Sequence, residues 1–337
     1  MGKETGISWT DATWNPFRGC TKVSSGCAAC YADTLSKRNP KTLGIWGPNG
    51  SRVVAAESYW KQPFQWDKQA NKDRVRRKVF CASLADVFEQ WDYEMIGVDG
   101  CAHYTSDLDP CEMLNNWVMV GCDTDGYHKT MMDDARLRVF NTIRRTPNLD
   151  WLLLTKRPEA IIPTLERCLV SATKFVDNGE LWGWINGWLK GKPPQNVWLG
   201  TSVEDQENAD QRIPHLLEVP AKVRWISAEP LLGPVSFWPW LSNPTIAADL
   251  GRDFPLLDWI IVGGESGPNA RPFDIAWALS IKNQCERAST SFYMKQLGSN
   301  AVASFVSWDT KDRAGADPSE WPEDLKRQEF PKIRLGV

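Results

Sequence analysis

The segment NVWLGTSVEDQ, residues 196–206, decides the fold class. It opens as a short apolar run with β-branched and aromatic residues and ends abruptly at Glu204 and Asp205. A run that short and that continuously apolar reads as a strand buried on both faces, the situation of a parallel sheet. Comparable runs occur at Val79–Ser83, Trp151–Thr155, Val223–Ser227, Trp259–Val262 and Phe292–Met294. Helical stretches separate them, so the chain reads as α/β, a partial or full (β/α) TIM-type barrel.

The residues that follow each run point to a ligand. Leu84-Ala85-Asp86 follows Ser83, Lys156-Arg157-Pro158 follows the second run, and Glu204-Asp205 closes the third. Glu229-Pro230, Gly263-Gly264-Glu265 and Lys295-Gln296 complete the series. In a barrel the carboxyl ends of the strands share one face, and ligands bind there. Lys156, Glu229 and Lys295 are therefore candidate catalytic residues, the lysines suiting a carboxylate or phosphate as point charges. Taken singly, each cluster also fits the simpler reading that charge marks where a strand reaches water.

Upstream, GCTKVSSGCAACYADTLSKR (residues 19–38) holds Cys20, Cys27 and Cys30. Three thiolates are one ligand short of a closed tetrahedral shell, which leaves a position open for a substrate or cofactor. The alternative is a chance trio of core cysteines. Nine cysteines is an odd number, and Met1–Thr10 is polar with no apolar signal core, so the expectation is reduced, cytosolic thiols rather than disulfides. Trp9–Phe17 would bring a strand to the same face, and Tyr31–Arg38 reads as the first helix.

The remaining sequence sets limits. A net charge of -3 over 337 residues argues against a protein that coats nucleic acid with its whole surface. Arg74, Arg76, Arg77 and Lys78, and separately Arg144 and Arg145, form local basic runs that fit either a binding patch or a solvated face. No apolar run approaches a membrane span. The expected organisation is a single barrel domain over residues 1–300, interrupted by an insertion at about 91–131, with a C-terminal surface extension over 301–337. The insertion carries Cys101, His103, Cys111, Cys122 and His128 at spacings that match no zinc pattern, and it reads as a surface excursion, with a second metal site as the alternative. Trp182–Pro194, rich in Trp, Gly and Pro, reads as a loop.

In order along the chain, ISWTDATWNPFRGC (7–20), CAACYA (27–32), LTKRP (154–158), NVWLGTSVEDQ, RWISAEPLLGPV (224–235), DWIIVGGESGPNARP (258–272) and FYMKQLG (292–298) closely resemble a phage-associated family of three-cysteine-motif proteins, a domain of unknown function. That family in turn is similar to a divergent branch of the radical S-adenosylmethionine (SAM) enzymes. The resemblance implies that Cys20, Cys27 and Cys30 ligate a 4Fe-4S cluster, that S-adenosyl-L-methionine is a second cofactor, and that a reductant protein supplies electrons. It also implies a cytoplasmic setting in a bacterial host, a nucleic acid base or nucleotide as substrate, and a phage-encoded or host partner protein. Gly263-Gly264-Glu265 resembles a cofactor-contacting element of those enzymes, although it follows a late strand; Ser83 and Asp86 lie nearer the expected place. Ser83, Asp86, Glu204 and Glu265 are thus the expected cofactor contacts. Two features differ from the radical enzymes: six residues separate Cys20 from Cys27 where three are usual, and Ala29 stands where an aromatic normally precedes the third cysteine. Two other readings stay open. One is a three-cysteine zinc protein, acting as a hydrolase or nucleic-acid-binding module; the other is a non-catalytic partner protein.

Overall fold

The computed structural model describes residues 5–97, 131–173, 179–241, 256–304 and 306–331. They fall into two compact units, the first drawn from residues 1–22, 30–153 and 159–197, the second from 23–29, 154–158 and 198–337.

The first unit holds three parallel strands, β1 (Ala12–Trp14), β2 (Arg77–Cys81) and β3 (Leu149–Thr155), whose last two residues belong to the second unit. The order is β1-β2-β3, with Ala12 opposite Val79 and Val79 opposite Trp151. Its principal helices are α1 (Tyr31–Arg38), α2 (Gln62–Asp73), α3 (Met132–Arg144), α4 (Ile161–Ala172) and α5 (Glu180–Leu189). Ile161, Leu165, Cys168 and Ala172 recur at helical spacing on α4 and are all buried, which gives the helix one core face. The stretch Trp182–Pro194, expected as a loop, is instead helical as far as Leu189. Leu181, Ile185 and Trp188 bury one stripe there, while Gly183 and Gly187 face open space, so tertiary burial overrides the low helix propensity of glycine.

The second unit holds four parallel strands in the order β4 (Val197–Ser202), β5 (Val223–Ala228), β6 (Trp259–Gly263) and β7 (Ser291–Gln296). The register sets Trp198 opposite Val223 and Trp225 opposite Trp259. Strands β4, β5 and β6 are buried at every residue, which is why they read as unbroken apolar runs. Two long helices, α6 (Gln206–Glu218) and α7 (Ile275–Ala288), accompany them. The six predicted strands are all present; β2 begins two residues earlier than expected, so Ser83 lies beyond its end. This is a mixed α/β protein with the strand-helix alternation of a (β/α) barrel-like fold.

Residues read as a surface extension do structural work in the second unit. The Met294 amide donates to Arg327 O at 2.8 Å, the Glu329 amide to Phe292 O at 2.9 Å, and Trp259 Nε1 to Glu329 O at 2.8 Å. The tail thus pairs with β7, which would otherwise present unpaired backbone groups. Of the expected insertion, residues 98–130, with all five of its Cys and His residues, lie outside the described residues. No helix among the described residues is long and apolar enough to cross a membrane.

Candidate functional site

Within the second unit, a loop and the ends of the strands meet around three carboxylates. Glu204, two residues past β4, is completely buried. Its Oε1 accepts from Lys156 Nζ and from Ser24 Oγ at 3.0 Å, and its Oε2 accepts from Arg212 Nη1 at 2.8 Å. Burial alone would raise its pKa, but the charges of Lys156 and Arg212, with the hydrogen bonds from Lys156 and Ser24, hold it below the usual carboxylate range. The loop lies so close that a Cβ on Gly26 would sit 2.3 Å from the Glu204 side chain. Any larger residue there would displace the Glu204 side chain from its partners.

Glu265, after β6, is also buried and is clamped by Arg271, whose Nη2 reaches Oε1 at 2.7 Å while Nε and the backbone amide both reach Oε2 at 3.0 Å. The remaining Arg271 nitrogen, Nη1, donates to Ser25 O at 2.9 Å, tying this pair to the same loop. Burial pushes Glu265 up, and the Arg271 hydrogen bonds outweigh it, so the carboxyl is held below its ordinary range. A carboxylate depressed in this way binds fewer protons folded than unfolded; its stabilisation is present above the ordinary carboxylate range and is lost as pH falls through the folded value. Arg271→Ala removes the guanidinium and leaves only the backbone amide to oppose burial, so the acid unfolding midpoint followed by tryptophan fluorescence should move to higher pH. An unmoved midpoint would refute the assignment.

The third carboxylate, Glu229, accepts from Ser227 Oγ at 3.2 Å through Oε2. Its Oε1 lies 2.8 Å from Lys295 Nζ, an ionic contact off the line of a directed hydrogen bond. Gly263 and Gly264 have packing reasons of their own: a Cβ on the first would stand 2.5 Å from Glu229 Oε1, and on the second 2.1 Å from Leu297 O. Lys156 and Glu204 are thus brought together, as are Glu229 and Lys295, and Glu265 joins the loop through Arg271.

Ser83 and Asp86 lie in the first unit. Ser83 exchanges hydrogen bonds with the Asn15 amide at 3.1 and 3.2 Å, and its carbonyl accepts from Tyr31 OH at 2.9 Å. Asp86 accepts from the Phe88 amide at 3.0 Å and so closes a turn. Nearby, Arg52, with no exposed surface, pairs with Glu89 through Nε (2.7 Å) and Nη2 (2.8 Å). Glu89 Oε1 also accepts from the Thr21 amide at 2.7 Å, and Arg52 Nη2 donates to Thr21 Oγ1 at 2.8 Å. This fixes the residue next to Cys20.

The six described cysteines are free and divide by environment. Cys81, Cys168 and Cys285 are buried in the strands and helices of the core; burial raises all three thiols, that of Cys168 to about 12. Cys20 and Cys30 are partly exposed members of the first unit. Cys27, buried, belongs to the second unit, with its sulfur 3.8 Å from Ser24 Oγ. Among the described residues no three His, Cys, Asp or Glu side chains are gathered as a metal-holding group. The Cys20, Cys27 and Cys30 set fits an iron-sulfur cluster by its donor chemistry, three reduced thiols in a polar segment, and not by assembled geometry.

The basic runs are largely spent on ion pairs. Arg76 pairs with Asp150 (2.7 Å), Arg77 with Asp73 (2.9 Å), Lys78 with Asp11 (3.4 Å) and Arg144 with Glu180, while Arg145 lies over the Phe64 ring. Residues not foreseen from sequence are Ser24, Ser25, Arg212, Arg271, Arg52 and Glu89. Arg271 stands in the GESGPNARP stretch beside Glu265, which could have signalled it; nothing local marks Arg52 or Arg212.

Over residues 4–97 and 109–322 the chain matches the family described as Protein of unknown function (DUF5131), and it belongs to that family. Comparison with curated proteins and with solved structures found no match.

Proposed function

We propose that this DUF5131 member is an iron-sulfur enzyme of the radical S-adenosylmethionine type, with Cys20, Cys27 and Cys30 as the protein ligands of a 4Fe-4S cluster. The division of the described cysteines supports it: three thiols are enclosed in core strands and helices, while in the 20–30 segment Cys20 and Cys30 are partly exposed and the buried Cys27 lies 3.8 Å from a serine hydroxyl, that of Ser24. When bound, the cluster and S-adenosyl-L-methionine supply one-electron chemistry, and the protein supplies placement and exclusion of water. Glu229 and Lys295 form a polar pair from the ends of β5 and β7, the two strands that flank β6, suited to orient the amino and carboxylate groups of a ligand. Lys156, partly exposed beside Glu204, can meet a carboxylate or phosphate at its open side. With Arg76, Arg77, Lys78 and Arg144 of the basic runs engaged in ion pairs, a nucleotide or single base suits the chain better as substrate than a long duplex.

Iron, acid-labile sulfide and zinc are to be measured in anaerobically purified protein beside Cys27→Ala. The expected result is about four irons and four sulfides per chain, lost in the variant, followed by release of 5′-deoxyadenosine from S-adenosyl-L-methionine under a strong reductant. Zinc without sulfide would overturn this reading in favour of a three-thiolate zinc protein. Protein that binds neither metal would leave the non-catalytic partner role.

A further inference from the structure

We infer that Glu204 is a positioning residue for Cys27, acting on the thiol through Ser24 and Gly26 and not by touching a cofactor. The inference deepens the role proposed for Cys27 and rests on it only where metal is measured. Glu204 is buried within the second unit, and both of its oxygens are engaged by Lys156, Arg212 and Ser24. Ser24 Oγ stands 3.0 Å from Glu204 Oε1 and 3.8 Å from Cys27 Sγ, so a single hydroxyl links carboxylate to thiol. The Cys27 amide donates to Ser24 O at 3.0 Å, which locks the two residues into one turn.

The steric side of the arrangement is equally specific. Gly26, between them, abuts the Glu204 side chain with no room for a Cβ. Ser25 O is held by Arg271, itself fixed by Glu265. Residues 24–26 are therefore each held by a buried carboxylate or by its arginine. A buried ion pair adds little stability over a well-packed apolar replacement. What it provides here is a rigid, charged anchor aimed at the turn that carries Cys27, as hydrogen-bonded supports behind metal ligands do.

The test uses the whole 337-residue chain, metal-free and reduced, pulse-alkylated with iodoacetamide and read peptide by peptide by mass spectrometry. Ser24→Ala should raise the alkylation rate of Cys27 about ten-fold, the worth of a hydrogen bond to a charged group. Cys20, whose neighbour Thr21 is anchored separately by Glu89, should keep its rate, and Ser24→Thr, which restores the hydroxyl, should return Cys27 to the wild-type rate. Glu204→Gln keeps the volume and should also accelerate Cys27; it carries the same test if Ser24→Ala fails to fold. An unchanged Cys27 rate in Ser24→Ala, or a Thr variant as fast as Ala, would overturn the inference. A second measurement, the thiolate-to-cobalt charge-transfer band on adding Co2+, should weaken in Ser24→Ala. If wild-type protein holds neither iron nor zinc while the alkylation result holds, the metal reading falls and the positioning role stands.

Discussion

Replacing Arg52 by Met should lower the unfolding free energy by about 3–5 kcal/mol, because it leaves the Glu89 carboxylate buried without its counter-charge. Arg52 has no exposed surface and meets Glu89 through two nitrogens, Thr21 Oγ1 through a shared one, and the face of Trp91 with its guanidinium carbon 3.9 Å from the ring centre. Methionine fills much of the volume but satisfies none of these groups. Urea unfolding with an unchanged slope checks the magnitude. The double variant Arg52→Met/Glu89→Gln should lose less than the single one, since the orphaned charge is gone. A single-variant loss below about 1 kcal/mol would mean that water reaches Glu89 and that the pair is not truly buried.

Trp259→Ala should cost a similar amount, about 3–5 kcal/mol, as a large core truncation. The indole is fully buried on β6 and packs against Trp198, Trp225, Tyr293 and Phe330 at ring separations of 5.3–6.0 Å. Its Nε1 also fastens the tail at Glu329 O. The variant should therefore lose stability and also free residues 326–330 from β7, seen as faster amide exchange at Phe292 and Met294, next to the Glu329 and Arg327 contacts. Loss of stability with unchanged exchange would show that the tail is held by its backbone pairing alone.

Much of the fold was legible because parallel strands buried on both faces leave an unmistakable run of apolar residues, as at Val223–Ala228. Tyr31–Arg38 was legible for the same kind of reason, a local pattern closed by basic residues at its end. The helix Glu180–Leu189 was not, since Trp, Gly and Asn dominate its composition and only burial of Leu181, Ile185 and Trp188 reveals its period. At the site, Lys156, Glu204, Glu229, Glu265 and Lys295 could be picked out as strand-end charges. Which of them pair with each other, and that Arg212 and Ser24 join Glu204, could not, because a charged side chain chooses its neighbour across space.

The sequence alone determined the α/β class, the positions of the principal strands and the three-cysteine segment, because period, run length and residue chemistry are local properties that survive without a fold. Tertiary structure decided which charges meet: Arg212 and Lys156 on Glu204, Arg271 on Glu265, Lys295 on Glu229 and Arg52 on Glu89. It also decided where Gly26 and Gly263 yield their side-chain space, each to a carboxylate from a distant part of the chain that a Cβ would displace. Such choices follow from desolvation, which makes a buried charge costly until a specific partner arrives, and no local pattern of residues encodes where that partner will be.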